Sequence, residues 1–558
     1  MSTPTVDPAP SHRQRVAVVT GGGGGIGAAI AEELGRTGTF VVTVDPLVSV
    51  DGVEQLPDPG QTTAGRIVAA GGSARASAVS VTDRDGVSSL FADLADEFGG
   101  LDAVVNVAGI TRQMSYTEGR EDDWLSVLSV HLDGYLNVLG AALPIMAAAG
   151  HGHLLGVTSG SGWRPADTGA YGCAKRAVAS LTWQLGRHAP PGVVVNAMSP
   201  IAMTRMVVAA MERHKEKVAA AGSSTTSGLV LGSKMPTPGQ LGPVGAHLVG
   251  AGFSGCHGQV LFLAGSELAV VDEPRLLEVF GTEGRSSLAA ALEVVAAGAL
   301  VPAEAEQASN GGSNPRFAPS VVSSPDATLP PPAVRSCAVV ADRPEAAAVI
   351  VAALDARGVA TTVVPAVGLA PGFASAAAAL AAMVAANPRL DALVVAPAGN
   401  GPGADAVSDW ERLLVEHTGI VAQVYADAAW SRAVADHAMR TNRPMRLVTL
   451  TEAATAGGRS RAQAVAQHAR SARGATGELV AHFTVGVETH EAVATPAVGA
   501  LVAHLVSSPD TPPLSGAELM VGPGTIGLRS HPRVGAGITL GGPDVPGWLD
   551  GVLGAIAR

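Results

Sequence analysis

Sulfur, aromatic rings and charge are all scarce in this chain of 558 residues. Its three cysteines, Cys173, Cys256 and Cys337, are far apart and form no CxxC or Cys/His grouping. That excludes a disulfide framework and a thiolate metal site, so no metal is expected, and a reducing cytoplasm suits the chain. With aromatics at 3%, the cores must be built from Ala, Val and Leu. Charged residues reach 15% and sum to a net charge of -12, so the basic surface that nucleic acid or an anionic membrane needs is missing. No apolar run is long enough for a bilayer; Leu288–Val301 is interrupted by Glu293, and the N-terminal residues show no signal-peptide core. A soluble protein with no membrane partner is expected.

What is abundant is hydrophobic material, 47% of residues, in a chain long enough for two domains. From Val16 onward, short β-branched runs alternate with Ala/Leu-rich stretches. Strands are expected at Arg15–Thr20, Phe40–Asp45, Ala76–Val81, Ala103–Val107, His153–Thr158, Val193–Met198 and Gln259–Leu263. Helices are expected at Ile26–Gly35, Asp85–Phe98 and Asp123–Ala149. Strand alternating with helix implies parallel strands and crossover helices, a doubly wound α/β sheet. Residues 303–332 have linker composition, and the alternation restarts at Cys337–Ala341 and Glu345–Arg357.

The second half echoes the first. Leu390-Asp-Ala392 repeats Leu101-Asp-Ala103; Asp409-Trp410 to His417 repeats Asp123-Trp124 to His131; Gly516 to Pro532-Arg533 repeats Gly258 to Pro274-Arg275. Three matches in order predict two Rossmann-like domains in tandem. The expected organisation is a tail over 1–14, a catalytic domain over 15–300, a linker over 301–334 and a degenerate copy over 335–558.

Val16–Thr20 runs directly into the glycine turn Gly21 to Gly25, then Ile26-Gly27 and a helix. Glycines admit close backbone approach to phosphates, and a helix N-terminus favours the anion. The next strand ends at Asp45. A carboxylate there can accept hydrogen bonds from both adenosine ribose hydroxyls and repels a 2′-phosphate, so NAD is expected over NADP. Asn106-Val-Ala108-Gly109 closes a later strand, where small groups pass adenine and ribose.

Tyr171 and Lys175 lie four residues apart at the start of a helix, hence on one face, and Ser159 ends a strand twelve residues earlier. A phenol titrates at ~10 and is a poor base near neutrality; a neighbouring ammonium brings it into range. Ser159 is then placed to hold a carbonyl or alcohol oxygen, and Lys175 to hold the nicotinamide ribose.

Thr20-Gly21-(x3)-Gly25-Ile26-Gly27, Asn106-Val-Ala-Gly109, Ser159 and Tyr171-(x3)-Lys175 together make residues 15–270 resemble a short-chain dehydrogenase/reductase. The resemblance implies a Rossmann fold, Ser-Tyr-Lys hydride-transfer chemistry on an alcohol or ketone, and a cofactor set of Gly21, Gly25, Ile26, Gly27, Asp45, Val81, Asn106, Ala108, Gly109, Tyr171, Lys175 and Thr204. The family's relay Asn is replaced by His131, so His131 is a candidate proton-relay group and equally a packed helix histidine. Within the family, Asp123-Trp124, Val130-His131-Leu132, the insert after Asp45 and Ser199-Pro200…Thr204-Arg205-Met206 resemble the (3R)-hydroxyacyl-CoA dehydrogenase part of peroxisomal multifunctional enzymes. The insert matches only loosely, and the Ser–Tyr segment is one residue short.

Met203, Met206 and Met211, followed by Gly222–Gly228, read as a pliable apolar substrate lid. Three readings follow: a hydroxyacyl-CoA dehydrogenase, a dehydrogenase of a steroid, terpene or other alicyclic alcohol, and a non-catalytic NAD sensor or scaffold. The second half lacks the glycine turn; its first strand runs into Asp342-Arg343-Pro344, Glu452 falls near the Ser159 position, and Ala464 and His468 fall where Tyr171 and Lys175 would be. A pseudoenzyme lobe is expected, packed on the first as an intrachain pseudo-dimer, within a chain that also forms homodimers.

Overall fold

A computed structural model of the chain describes residues 13–57, 60–209, 211–212, 235–283, 287–293, 329–365, 371–396, 408–542 and 544–557. The expected tail and nearly all of the linker lie outside them. The strands are β1 (Val16–Thr20), β2 (Phe40–Val44), β3 (Ser73–Ser77), β4 (Ala103–Asn106), β5 (Gly152–Val157), β6 (Val193–Pro200), β7 (Val260–Ala264), β8 (Glu267–Asp272), β9 (Leu276–Gly281), β10 (Ser336–Ala341), β11 (Ala360–Pro365), β12 (Ala392–Ala396), β13 (Met445–Glu452), β14 (Val480–Val487), β15 (Glu518–Gly522), β16 (Thr525–Arg529) and β17 (Arg533–Thr539). They form two sheets, ordered β3-β2-β1-β4-β5-β6-β7-β8-β17 and β11-β10-β12-β13-β14-β15-β16-β9. Each is parallel up to a terminal antiparallel hairpin, β7–β8 or β15–β16. This is the α/β, doubly wound architecture expected, with helices on both faces of each sheet.

In the first lobe, α1 (Gly25–Arg36) covers one face; α3 (Arg84–Phe98), α4 (Glu121–Leu128), α5 (Gly134–Ala149) and α6 (Ala170–His188) cover the other, with α2 (Thr63–Ala69) near the edge. β3 lies N-terminal to the expected Ala76–Val81. Its pairing with β2 starts at Phe40↔Ser73, so polar Ser73–Ser77 forms the edge strand, and Val79 and Val81 turn inward beyond it. The expected helix 123–149 is continuous but contains one π turn, Ser129–Asp133. By length and composition Glu121–Ala149 could cross a membrane; here it packs in the core that joins the lobes.

The two lobes exchange strands. β9 leaves the first sheet and closes the second beside β16, while β17 leaves the second and closes the first beside β8. The crossings occur at Pro274-Arg275 and Pro532-Arg533, the repeated dipeptides, where proline ends strand pairing. There the Arg275 N–H donates to Ser530 Oγ (3.0 Å) and the Ser530 N–H to the Arg275 carbonyl (2.8 Å). Leu277, Phe280, Leu288 and Leu292 therefore belong to the second lobe's core, and the C-terminal helix Leu549–Ile556 to the first lobe's. The domain boundaries drawn from sequence do not anticipate this exchange.

α7 (Gly242–His247) packs on α1 in the first lobe; α8 to α12 of the second lobe are Leu288–Ala291, Pro344–Ala356, Phe373–Ala386, Asp409–Glu416 and Ile420–Thr441, and its α13 (Ala456–Ala469) lies antiparallel on α6. Arg176 reaches Gln463 and Gln467 (both 3.0 Å) and pairs with buried Glu518, while Gln184 donates to Ser460 Oγ (3.1 Å). Tyr116 of the first lobe stacks on His468 and hydrogen-bonds His482 (3.2 Å). A single apolar cluster runs through both lobes, from Trp124 and Ala174 to Ile420 and Ala464.

His417 and His482 are buried, which lowers them to about 4 and about 3, and His131 and His468 also fall well below the usual imidazole value. A depressed folded pKa means the unfolded chain binds protons first below ~6.5. Stability is then fully present above that pH and is lost on acidification. Thermal melting should drop by several degrees or more, by order of magnitude, between pH 7.5 and 5; a flat profile would contradict these neutral, buried imidazoles.

Candidate active site

A cavity of about 800 Å³ opens at the C-terminal ends of β1, β2, β4 and β5. Its floor is the glycine turn. Gly21 and Gly25 take positive φ (65° and 56°), a region that L side chains avoid. Helix α1 starts behind Gly24, with no side-chain cap and no acidic residue in its first turn. Its first amides are thus available to an anion. A Cβ on Gly24 or Gly25 would project toward Arg205 (3.6 Å) or Thr204 (3.8 Å), the wall opposite. This cradle fits a dinucleotide pyrophosphate. Gly27 lies behind the turn, where a Cβ would overlap the Gly21 carbonyl, so it permits the turn without lining the cavity.

Asp45 sits beside this turn. Its carboxylate accepts from the Gly23 N–H (2.9 Å) and the Leu47 N–H (2.8 Å), which fixes both oxygens at the cavity wall. Val81 lines the same wall, packed on Gly134, with its carbonyl held by Asn137 (2.9 Å). Asn106 is a strut beneath the floor. Its Oδ1 accepts from Thr20 Oγ1 (2.6 Å), whose oxygen in turn accepts from the Ala108 N–H (3.2 Å). Asn106 Nδ2 is buried with no partner.

Ser159 follows β5 and caps a short turn, its Oγ accepting from the Ser161 N–H (3.2 Å). Tyr171 and Lys175 are the second and sixth residues of α6 and face the same cavity. Burial raises the Tyr171 phenol, and its hydrogen bond with Ser159 works against that rise. Lys175 is 4% exposed; burial alone pulls it down to about 7. Its Nζ donates to the Val157 carbonyl (2.7 Å) and lies 5.8 Å from the Tyr171 ring centre.

His131 sits on the π turn and meets Tyr171 edge-on, ring centres 5.2 Å apart. Desolvation, then the charge of Lys175, keep it neutral. Nε2 donates to the Ile110 carbonyl (2.8 Å), leaving buried Nδ1 as an acceptor with no partner. Gly109 must lack a side chain, since a Cβ would overlap the His131 ring.

Ser159, Tyr171, Lys175, His131, Gly21, Gly25, Ile26, Asp45, Val81, Ala108, Gly109 and Thr204 all line one cavity. Sequence reasoning did not place residues 46–52, Arg112 or Arg205 in the site. Val48 pairs with Gln55, the Thr111 N–H donates to the Val50 carbonyl (2.9 Å), and Arg112 joins Asp51 O (2.8 Å) to Asp123 (3.1 Å). The segment thus folds down as a side wall. Of the expected lid, Met203, Met206 and Met211 are described, whereas Gly222–Gly228 lie outside the described residues.

The short chain dehydrogenase family matches residues 15–217. An uncharacterized oxidoreductase of Staphylococcus epidermidis is 32% identical over 192 residues, 34% of this chain and 77% of that protein. This chain belongs to the short-chain dehydrogenase/reductase family. Two other relatives are the short-chain reductase protein NovJ of Streptomyces niveus (34% identical, 34% of this chain, 69% of the relative) and a putative short-chain type dehydrogenase/reductase of Mycobacterium tuberculosis (36%, 35% and 70%). Over the whole length the chain is similar in fold to the N-domain of a bacterial malonyl-CoA reductase solved with NADP. That likeness has a TM-score of 0.64 and 15% identity, and covers 91% of this chain and 97% of that one. As a short-chain dehydrogenase/reductase the chain is an oxidoreductase of CH–OH groups from a family that binds nicotinamide cofactors.

The second lobe corrects one sequence alignment. Glu452 does end β13 at the level of Ser159, since β5 pairs from Gly152↔Val193 and β13 from Met445↔Val480. The loop that follows is seven residues shorter than its first-lobe counterpart. Gly457 and Arg461, not Ala464 and His468, are therefore the second and sixth residues of α13. Arg461 is held by Asp427 (2.7 Å).

Replacing Gly109 with Ala should turn the His131 ring and cost about 1–3 kcal/mol of stability, as overpacking does. Denaturant titration of Gly109→Ala against wild type checks this; an unchanged midpoint would mean the ring has room to move.

Proposed function

We propose that the first lobe interconverts a secondary alcohol and a ketone with NAD(H), using Ser159, Tyr171 and Lys175. The observation behind this reading is that these three side chains, the uncapped glycine turn and Asp45 open on one cavity. A bound nicotinamide supplies or takes up the hydride. Ser159 holds the substrate oxygen by hydrogen bonding, and Tyr171 Oη gives that oxygen a proton in reduction or takes one in oxidation. Lys175, facing the phenol, favours its ionised form when charged. With a dinucleotide bound, Lys175 would be held in its ammonium form by the nearby negative charge, which offsets the effect of burial. His131, with Nδ1 open as an acceptor, is suited to passing the proton onward through water.

Asp45 favours NAD, because its fixed carboxylate matches ribose hydroxyls and repels a 2′-phosphate. Leu125, Val130, Met206 and Val207 make an apolar substrate wall. A 3-hydroxyacyl thioester is our first choice, and a steroid, terpene or other alicyclic alcohol suits the same wall. The second lobe is a pseudoenzyme derived by tandem duplication, acting as a built-in dimer partner. The shared strand order supports duplication. Arg343 pairs with Glu452, which also hydrogen-bonds His490, where a pyrophosphate would lie, leaving a crevice of about 10 Å³.

The test is turnover with NADH against NADPH over a carbonyl panel, with and without a CoA moiety. Tyr171→Phe should lose roughly 10²–10⁴-fold in rate, the usual worth of a positioned acid–base group, while still binding cofactor. Asp45→Ala should weaken NADH binding by roughly 10–100-fold, as expected for bonds to a charged acceptor, and narrow the preference over NADPH. Reduction needs the phenol and should slow as pH rises; oxidation needs the phenolate and should speed up. Cofactor binding without turnover of any substrate would favour the scaffold reading instead.

A further inference from the structure

A second cavity, about 420 Å³, lies between the lobes, bounded by α6, α13 and the sheet face of β13 to β16. It has a filled counterpart in the first lobe. There the rung Ala197–Val260–Val271 spans β6, β7 and β8. These residues, with Phe262 and Trp183, pack around Trp163, whose indole N–H donates to Ser199 Oγ (3.0 Å). The matching rung of the second sheet is Thr484–Glu518–Arg529. Two residues along the same strands, Ser199 and Phe262 are matched by Gly486 and Met520. Trp163 has no match, because it stands on the very loop that is seven residues shorter in the second lobe.

An apolar plug in one lobe is thus an open polar chamber in the other. Loss of a tryptophan alone leaves a dry void; here three apolar positions have also become Thr, Glu and Arg. Glu518 and Thr484 are buried, and Glu518 is held by Arg176 and by Gln463 (2.5 Å). At the mouth, Arg187 pairs with Glu273 and Arg529 with Glu488. Arg459 differs from both. Its Nε donates to Gln184 Oε1 (2.9 Å), and it makes no salt bridge among the described residues, Glu416 and Glu488 acting on it only at longer range. Trp183, Met520 and Ala462 supply apolar lining in the same chamber.

We propose that this interlobe chamber binds a small organic acid, its carboxylate on Arg459 and its apolar body against Trp183 and Met520. A charged acceptor completes the guanidinium fork, and the body fills the volume that Trp163 fills in the first lobe. The site is separate from the catalytic cavity and its existence does not depend on the reaction proposed above.

The probe is phenylacetate, titrated calorimetrically into the full chain, with neutral phenylacetamide as the comparison. Saturable binding of phenylacetate is expected, with phenylacetamide at least roughly tenfold weaker, the worth of one charge-assisted hydrogen bond. Arg459→Gln should weaken phenylacetate by a similar factor. Ala462→Trp, which refills the chamber from a partly exposed position, should abolish binding while thermal melting confirms that the lobe is folded. No saturable phenylacetate binding, equal affinity for the amide, or wild-type affinity in both variants would overturn the proposal. The titration reads no turnover, so its failure is distinct from failure of the catalytic assignment.

Discussion

Fifteen of the 19 residues of α6 are buried, far more than the single stripe a surface helix hides. One side of this helix packs on its own sheet, and the other lies along α13, pinned by Arg176 to Gln463, Gln467 and Glu518. Tyr171 and Lys175 stand at the start of that helix. Their orientation therefore depends on the contact between lobes as much as on the local backbone. A buried ion pair of this kind contributes little net stability, yet breaking one side strands a charge and is costly. Arg176 and Glu518 thus act as a register mark between α6 and the second lobe's sheet. The lobe that lacks the glycine turn thus helps to position Tyr171 and Lys175 of the other.

Much of the site was legible because its signals are local. The glycine turn, Asp45 and the Tyr171–Lys175 spacing are read from consecutive residues, and their geometry follows from strand, turn and helix periodicities. Residues 46–52 and Arg112 were invisible for the opposite reason. They join the cavity through Asp51, Asp123 and the Ile110–Thr111 backbone, partners that no periodicity ties together. Asn106 was read as a cofactor contact because it ends a strand at the right edge; its side chain instead turns down to brace Thr20. The edge strand β3 was misplaced by a few residues, since Ala76–Val81 has the better β-branched pattern while pairing with β2 selects Ser73–Ser77.

The second lobe shows how an internal comparison can mislead by one gap. Counting forward from Glu452 gives Ala464 and His468, whereas the helix itself starts seven residues early. The first lobe's longer loop is the one that carries Trp163. The shorter loop therefore accounts for the shifted helix register and for the absence of a counterpart to Trp163 in the chamber between lobes. The exchange of β9 and β17 was equally hidden, because an apolar edge strand looks alike whichever sheet it joins.

That exchange bears on how the protein is made. The outer edge of the first sheet is β17, some 260 residues downstream of its partner β8. During synthesis the first lobe emerges with β8 exposing unpaired backbone groups, and it cannot finish its sheet until residue 539 has left the ribosome. Domains usually fold in the order in which they are translated; here the edge of the N-terminal sheet must wait for β17. The first sheet is complete only in chains that have been translated to residue 539.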